Sequence, residues 1–118
     1  MYGLPDDFDA SIFVGRELEQ VCFWAYSIHL VFDRDVSVTL ESSFSFRSTP
    51  DKELVDESIP VRSSDLMILI GRKVEHAWAE RNGTLNLSFA GGATLVCLDE
   101  TKQYESYRIR IADKEIIV

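Results

Sequence analysis

The sequence contains few of the residues from which metal sites and redox centres are built. Two of its 118 residues are cysteine, Cys22 and Cys97, and two are histidine, His29 and His76. Neither a CxxC pair nor a Cys/His cluster with zinc spacing occurs, so no metal site is predicted. Both cysteines lie in apolar segments, which favours buried free thiols over a disulfide.

Long hydrophobic runs are also missing. The longest wholly apolar run, Val21–Tyr26, has six residues, whereas a membrane-spanning helix needs about 20. The first ten residues, MYGLPDDFDA, lack the basic and apolar regions of a secretory signal. We therefore expect a cytoplasmic protein whose thiols are reduced.

Basic residues are scarce relative to acidic ones. Lys and Arg number 12 against 20 Asp and Glu, which gives a net charge of −8. Residues 1–61 carry twelve acids and four bases, and residues 62–118 carry eight of each, so the whole excess lies in the first half. This balance argues against nucleic-acid binding and against docking on anionic membranes. It indicates either a self-repelling soluble surface or a face that meets a basic partner.

No catalytic or nucleotide-binding motif is present. Gly91–Gly92 lacks the lysine and following helix of a P-loop, so it is interpreted as a hairpin turn. His29 and His76 belong to no HExxH motif and to no serine elbow, and they are interpreted as polar strand positions. We predict no catalytic residue and no cofactor, and we do not predict an enzyme.

An internal repeat organises the chain. Residues 9–41 resemble residues 65–98 at an offset of 56, which becomes 57 near a turn, and the match resumes at 42–47 against 105–110. We interpret residues 9–47 and 65–110 as two copies of one module within a single domain, 1–118. The identical pairs are Asp9/Asp65, Ile12/Ile68, Gly15/Gly71, Arg16/Arg72, Glu19/Glu75, Leu30/Leu87 and Phe32/Phe89.

Alternation of apolar and polar residues predicts β-hairpins in both copies. Ile28, Leu30 and Phe32 alternate with polar or smaller residues before a turn at 33–35, and the second copy repeats this pattern around Gly91–Gly92. Ser63 or Ser64 is expected to cap a short helix that ends at Ile70, and Pro50–Asp56 is a second helix candidate. The segment 7–14 could be a helical turn or a strand.

These signals predict a mostly β protein of seven to nine strands with one or two short helices. A module that cannot bury its apolar face alone is expected to pair with its twin. The predicted fold is therefore two antiparallel β modules in a pseudo-two-fold sandwich or a partly open barrel.

The acidic stretch DKELVDE is the first candidate site. Its carboxylates, Asp51, Glu53, Asp56 and Glu57, could bind a basic partner, although a solvated loop or helix face would have the same composition. The second candidate is the repeated pair Arg16 and Arg72, which could line a site for an anionic ligand between the modules. Surface ion pairs with neighbouring glutamates would explain the same residues.

Aromatic residues in Val21–Tyr26 leave one further question open. The run is apolar on both faces, so its strand is either central in a sheet or part of an exposed contact surface, which would also allow a homodimer.

Three short segments resemble a known family. The C-terminal run at 104–109, YESYRI, with the ending Ile116–Val118, and the opening Val14–Leu18 resemble a family of small bacterial proteins catalogued only as a domain of unknown function. The resemblance implies a soluble, stand-alone bacterial domain, and it transfers no activity or site residue. Small size and negative charge are also shared with immunity proteins of bacterial toxin systems, which is an analogy without a motif.

The sequence therefore favours a non-enzymatic module that binds a basic protein partner, in the way that an immunity protein neutralises a toxin. The alternative is a small-molecule binding protein with an anionic ligand between the two repeats.

Overall fold

Two antiparallel sheets make up the protein. The computed structural model describes residues 3–60, 64–99 and 106–118, and the described residues form ten strands. The first sheet has the strand order β1-β2-β3-β9-β10, and the second has the order β5-β4-β8-β7-β6. The first sheet contains β1 (Leu18–Phe23), β2 (Ile28–Phe32), β3 (Val36–Leu40), β9 (Tyr107–Ile111) and β10 (Lys114–Ile117). The second contains β4 (Ser43–Arg47), β5 (Val55–Ser58), β6 (Val74–Ala79), β7 (Leu85–Phe89) and β8 (Thr94–Cys97).

The core lies between the inner faces of the two sheets. The apolar residues of the alternating strands are buried, as in β2, where Ile28, Leu30 and Phe32 are buried while the residues between them are half-buried. Phe32 stacks on Phe89 of the opposite sheet with ring centroids 6.3 Å apart, and Phe13 packs edge-on against Phe32 at 5.6 Å. The predicted mostly β fold is confirmed, and the described strands form no closed barrel.

Each sheet combines three strands from one half of the chain with a hairpin from the other half. β4 pairs with β8, and β9 pairs with β3, so the last hairpin of each half joins the sheet of the other half. The register shifts near Leu18 in β1 and near Val74 in β6 occupy equivalent positions of the predicted repeat.

Hydrogen bonds join the starts of β1 and β6, and they occur in equivalent pairs: adding or subtracting the repeat offset of 56 turns each bond into another bond of the set. Gly15 N–H donates to Val74 O at 2.8 Å, and Gly71 N–H donates to Leu18 O at 2.7 Å. Leu18 N–H donates to Arg72 O at 3.0 Å, and its counterpart runs from Val74 N–H to the carbonyl of residue 16 at 2.9 Å. These matched bonds favour the interpretation of the chain as a duplication.

Two single 3₁₀ turns occur where helices were considered. The first 3₁₀ turn covers Ala10–Phe13, so the segment 7–14 forms a helical turn and not a strand. The second 3₁₀ turn, Leu66–Leu69, replaces the helix expected to end at Ile70, and Ser64 Oγ accepts a hydrogen bond from Leu66 N–H at 3.1 Å. Ser63, the other expected cap, lies outside the described residues.

The helix predicted over Pro50–Asp56 is wrong. A turn around Pro50 is closed by the bond from Lys52 N–H to Thr49 O at 3.2 Å, and Val55–Ser58 then forms β5 against β4. Pairing with β4 outweighs the local helix signal, because tertiary contacts override weak propensities. β5 also brings the described strand count above the predicted seven to nine.

The hairpin turns follow the sequence. Gly91 and Gly92 have φ values of 88° and 89°, and Arg34 and Asp35 hold the equivalent turn of the first half at 55° and 61°. Such turns match the twist of the flanking strands. No helix among the described residues is long and apolar enough to cross a membrane.

Candidate functional site

The acidic stretch contributes two side chains to one cavity. Glu53 and Glu57 line a cavity of about 350 Å³ between the β4–β5 hairpin and the segment that leads into the second 3₁₀ turn. Asp65, which immediately precedes that turn, is the third carboxylate of its wall. We call this space the acidic cavity. Its remaining lining residues are Phe46, Arg47, Ser48, Lys52, Val55 and Ser64.

The other two candidate carboxylates are engaged elsewhere. Asp51 accepts a hydrogen bond from Thr49 Oγ1 at 2.5 Å, and this bond holds the pKa of Asp51 below its ordinary value. Asp56 pairs with Ser45 in the β4–β5 register and accepts a hydrogen bond from its hydroxyl. Because neighbouring residues of a strand point to opposite faces, Asp56 and Glu57 face opposite sides of the second sheet. The structure thus divides the four predicted carboxylates into two pairs.

Glu57 occupies an unfavourable position for a charged group. It lies opposite the fully buried Phe44 in the β4–β5 register, on the inner side of the sheet edge. Burial raises the pKa of Glu57, and the nearby charge of Asp65 raises it further. The Nε–H of Arg47 donates instead to Thr94 Oγ1 at 3.4 Å. A positive charge that entered the cavity would favour the ionised form of Glu57.

Asp65 is a site residue that the sequence analysis missed. Its repeat partner Asp9 caps the first 3₁₀ turn, with Oδ1 accepting from Ser11 N–H at 3.0 Å. Asp65 makes no such bond at the second turn, because Ser64 supplies the capping oxygen. Alignment of the two copies could have indicated Asp65. Ser64 stands where the first copy has Phe8, so a serine is present to cap the turn and the aspartate is not needed for capping.

An exposed apolar surface adjoins the acidic cavity. The second 3₁₀ turn, which follows Asp65, packs against β1. The turn presents Met67, which is 59% exposed, and the β1–β2 hairpin presents Trp24 and Tyr26, which are 67% and 77% exposed. We call the exposed large apolar residues of these two elements, Phe23, Trp24, Tyr26, Met67, Ile68 and Ile70, the apolar surface. It wraps around the edge of the first sheet, because Trp24 lies beside His29 on the outer face whereas Phe23 lies opposite the buried Ile28 on the inner face. The strand of the Val21–Tyr26 run is therefore at a sheet edge and not central.

The equivalent surface, formed by the end of β6 and the first 3₁₀ turn, lacks part of this apolar character, although Ile12 and Val14 match Ile68 and Ile70. At the offset of 56, Phe23, Trp24 and Tyr26 correspond to Ala79, Glu80 and Asn82, and Met67 corresponds to Ser11. Both copies fold into the same elements, so folding does not require these aromatic side chains at these positions. Exposed apolar residues that only one copy carries are typical of a binding surface.

Arg16 and Arg72 are directed to two different β-turns. The Arg16 side chain donates to Ile12 O at 2.9 Å and to the carbonyls of Asp33 and Arg34 at 3.3 and 3.1 Å. Arg72 Nη1 donates to the carbonyl of Ala90 at 3.5 Å. Each guanidinium thus joins the start of its module to the second hairpin turn of that module, which is a structural use of both arginines.

The histidines and cysteines lie apart from the acidic cavity. His29 lies on the outer face of the first sheet, with a ring nitrogen 3.4 Å from Thr39 Oγ1 and its ring 6.2 Å from that of Trp24. His76 is exposed on β6 opposite Ser88. Both cysteines are free thiols. Cys97 is fully buried, and burial raises its pKa to about 12, which makes it unreactive.

Metal ligation finds no support in the described residues. No group of three or more His, Cys, Asp or Glu side chains among residues 3–60, 64–99 and 106–118 could hold a metal ion.

Comparison with known proteins places the chain in one family. A family model described as a family of unknown function (DUF6188) matches residues 10–118, and the chain belongs to this family. The match covers both 3₁₀ turns and all ten strands. It agrees with the sequence-based resemblance and indicates no enzyme family. No curated protein and no solved structure gives a significant match.

Proposed function

We propose that this protein is a non-enzymatic interaction module that binds a basic partner protein through the acidic cavity and the apolar surface beside it. The observation that carries the proposal is the convergence of Glu53, Glu57 and Asp65 on one cavity. The proposal takes the chain to be a bacterial cytoplasmic protein, as the sequence leads us to expect.

The electrostatics of the cavity support a cationic occupant. The pKa of Glu57 is raised by partial burial and by Asp65, and the three carboxylates of the lining outnumber its two cations, Arg47 and Lys52, so the cavity keeps an excess of negative charge. A lysine or arginine side chain of a partner would lower that energy on entering, and the net charge of −8 would steer a basic protein toward the surface. Binding is expected to weaken as salt concentration rises.

The apolar surface supports a protein partner over a small cation. Exposed Trp, Tyr, Phe and Met are the residue types enriched at protein interfaces. Here they adjoin the acidic cavity through the second 3₁₀ turn, so one partner could contact both parts at once. An immunity protein that neutralises a basic toxin is one example of this class, suggested by analogy of size and charge.

The alternative of an anionic ligand between the two modules has weaker support. Arg16 and Arg72, its proposed anchors, donate to backbone carbonyls of two separate turns. An anion would have to compete with those bonds.

The test compares two variants of equal charge. Glu53→Gln/Glu57→Gln neutralises two carboxylates of the acidic cavity, and Asp51→Asn/Asp56→Asn neutralises two carboxylates outside its lining. Each tagged protein is incubated with a lysate of the source organism and washed at low and then high salt. A basic protein retained at low salt by the wild type and by the Asp pair variant, and lost from the Glu pair variant, supports the proposal. Equal retention by all three proteins, or retention of no basic protein, contradicts it.

A further inference from the structure

The outer edge of β1 is open along half of the strand. At its start, Leu18 is bonded to Gly71 and Arg72, which closes the edge there. Further along, the pair Cys22/His29 and the bond from Trp24 N–H to Ser27 O define which groups face β2. In an antiparallel ladder the alternate residues, Val21 and Phe23, then direct their N–H and C=O groups away from β2. Within the described residues no hydrogen bond reaches these groups.

The other three sheet edges are less accessible to pairing with an added strand. The end of β6 lies beside the N-terminal segment, since Leu4 and Phe8 line one cavity together with Ala79. β5 and β10 have four residues each, and both carry charged side chains, as natural edge strands do when they avoid pairing. β1 has six residues and ends in exposed aromatic side chains.

The edge is also complementary to a basic segment. Residues 18–26 contain one charged residue, the exposed Glu19, and no lysine or arginine. Asp65 lies at the start of the 3₁₀ turn that packs against β1, and it leads into the acidic cavity. A second copy of the chain would bring its own Glu19 and a net charge of −8 to the same place, so self-pairing is disfavoured.

We propose that β1 binds an extended segment of the partner, with alternating apolar and basic side chains, as a sixth strand of the first sheet. This inference rests on the proposed function and specifies its geometry. Main-chain hydrogen bonds to Val21 and Phe23 supply the pairing. The apolar surface contacts the apolar side chains of the segment, and Glu19 and the carboxylates of the acidic cavity bind its basic side chains. The added strand would lie about 4.8 Å from β1, the ordinary spacing in a sheet.

A defined peptide tests the inference. The probe is an eight-residue peptide of alternating arginine and valine, acetylated and amidated at its ends. A second version carries N-methyl groups on the valines, a third carries them on the arginines, and a fourth has glutamate in place of arginine. We expect the unmethylated basic peptide to slow amide hydrogen exchange at Val21 and Phe23 by about tenfold or more. One of the two methylated peptides should bind about tenfold more weakly, because it loses the bonds on the edge that faces β1.

Three variants separate the main chain from the side chain. Phe23→Ala and Phe23→Pro both remove the aromatic ring, and only proline also removes the outward N–H. Ala79→Pro makes the matched change on β6, where Ala79 is the counterpart of Phe23 and lies opposite Leu85 as Phe23 lies opposite Ile28. We expect Phe23→Pro to bind the basic peptide about tenfold more weakly than Phe23→Ala, and Ala79→Pro to bind like the wild type.

The outcomes also distinguish the inference from the proposed function. If both methylated peptides bind as tightly as the parent and exchange at Val21 and Phe23 is unchanged, strand addition is refuted, even if Phe23→Pro fails to fold. If that binding still depends on Glu53 and Glu57, the proposed function stands without this geometry. If the glutamate peptide binds as well as the basic one, the proposed function fails too. If the wild type sediments as a dimer and Phe23→Pro sediments as a monomer, the strand that pairs with β1 belongs to a second copy of the chain and not to a partner segment.

Discussion

At the scale of single residues, Tyr107 shows how the two sheets are joined. The phenol of Tyr107 is buried, and its hydroxyl donates to the carbonyl of Gly83 at 2.6 Å, which links β9 to the β6–β7 hairpin. Burial, followed by the nearby Cys97 and Asp99, raises the pKa of Tyr107 far above its ordinary value. The hydroxyl therefore stays protonated and continues to donate at any ordinary pH.

Tyr107→Phe should lower the free energy of unfolding by about 1–3 kcal/mol, since it leaves a buried carbonyl without a donor. Tyr26→Phe is the control, because Tyr26 is 77% exposed, and we expect a change within about 0.5 kcal/mol. Urea unfolding of the two variants measures both values. Equal stability of the two variants would refute a structural role for the Tyr107 hydroxyl.

Glu57 and Asp51 should respond to neutralisation with opposite signs. The pKa of Glu57 is raised from 4.5 in the folded state, so its protonated form favours folding, and that stabilisation is lost as pH rises through the raised value. Glu57→Gln should therefore increase stability at pH 7, by about a few tenths of a kcal/mol because the carboxylate remains largely solvated.

The pKa of Asp51 is lowered from 3.8, so its ionised form favours folding above that value. Asp51→Asn should decrease stability at pH 7, and this decrease should disappear only as pH falls through the lowered pKa of folded Asp51, whereas the gain in Glu57→Gln should disappear earlier, as pH falls from the raised pKa of Glu57 to its value of 4.5 in the unfolded chain. Thermal unfolding measured from pH 7 down to about pH 2, well below the reference value of Asp, follows the two trends. A loss of stability in Glu57→Gln at pH 7 would mean that Glu57 is a structural residue.

At the scale of elements, the β7–β8 turn makes a close contact with the β4–β5 loop of the same sheet. Gly92 has a φ of 89°, and a Cβ built there would lie 2.2 Å from Pro50 Cγ. Gly15 has a similar φ of 82° with no neighbour within 4 Å of its Cβ position. Substitution of Gly15 therefore measures the cost of backbone strain alone, and substitution of Gly92 measures strain together with a steric clash.

Gly15→Ala should destabilise the fold by about 1–2 kcal/mol through the left-handed backbone alone. Gly92→Ala should cost clearly more, and adding Pro50→Ala should recover the difference. Guanidinium unfolding of the three variants measures these terms. If Gly15→Ala and Gly92→Ala were equally destabilising, the contact with Pro50 would contribute nothing.

The sequence predicted the hairpins well and the connecting segments poorly. Period-two alternation in Ile28–Phe32 and the Gly91–Gly92 turn are local signals, and local pairing decided those elements. β5 could not be predicted, because its partner β4 is joined to it by a turn whose Thr-Pro-Asp sequence equally suits a helix start. The longer-range exchange of hairpins between sheets depends on packing that no local pattern encodes.

At the scale of the whole molecule, the site was half predictable. The charge asymmetry and the DKELVDE run indicated Glu53 and Glu57, and alternation along a strand could have separated Asp56 from Glu57. Asp65 was not indicated, because its identity with Asp9 concealed that the two aspartates have different partners. Comparison of the two copies, residue by residue, indicates the difference: Phe23, Trp24, Tyr26 and Met67 of the apolar surface have no large apolar counterpart at the equivalent positions.

The salt dependence of binding depends on the net charge of the whole molecule. Two neutralised carboxylates change the net charge of −8 equally wherever they lie. Long-range attraction should therefore fall by the same amount in both pair variants, and the steering part of the rate should fall with ionic strength in both. A difference between the variants at high salt isolates the short-range contacts in the acidic cavity.

The most direct test of the central claim is a titration of the alternating arginine–valine peptide into three proteins at one ionic strength. These are the wild type, Glu53→Gln/Glu57→Gln and Asp51→Asn/Asp56→Asn. We predict that the Glu pair variant binds about three- to tenfold more weakly than the Asp pair variant, as expected for the loss of one half-buried and one exposed charge contact. Equal dissociation constants for the two variants would show that the cavity does not recognise the basic partner, and would contradict the account.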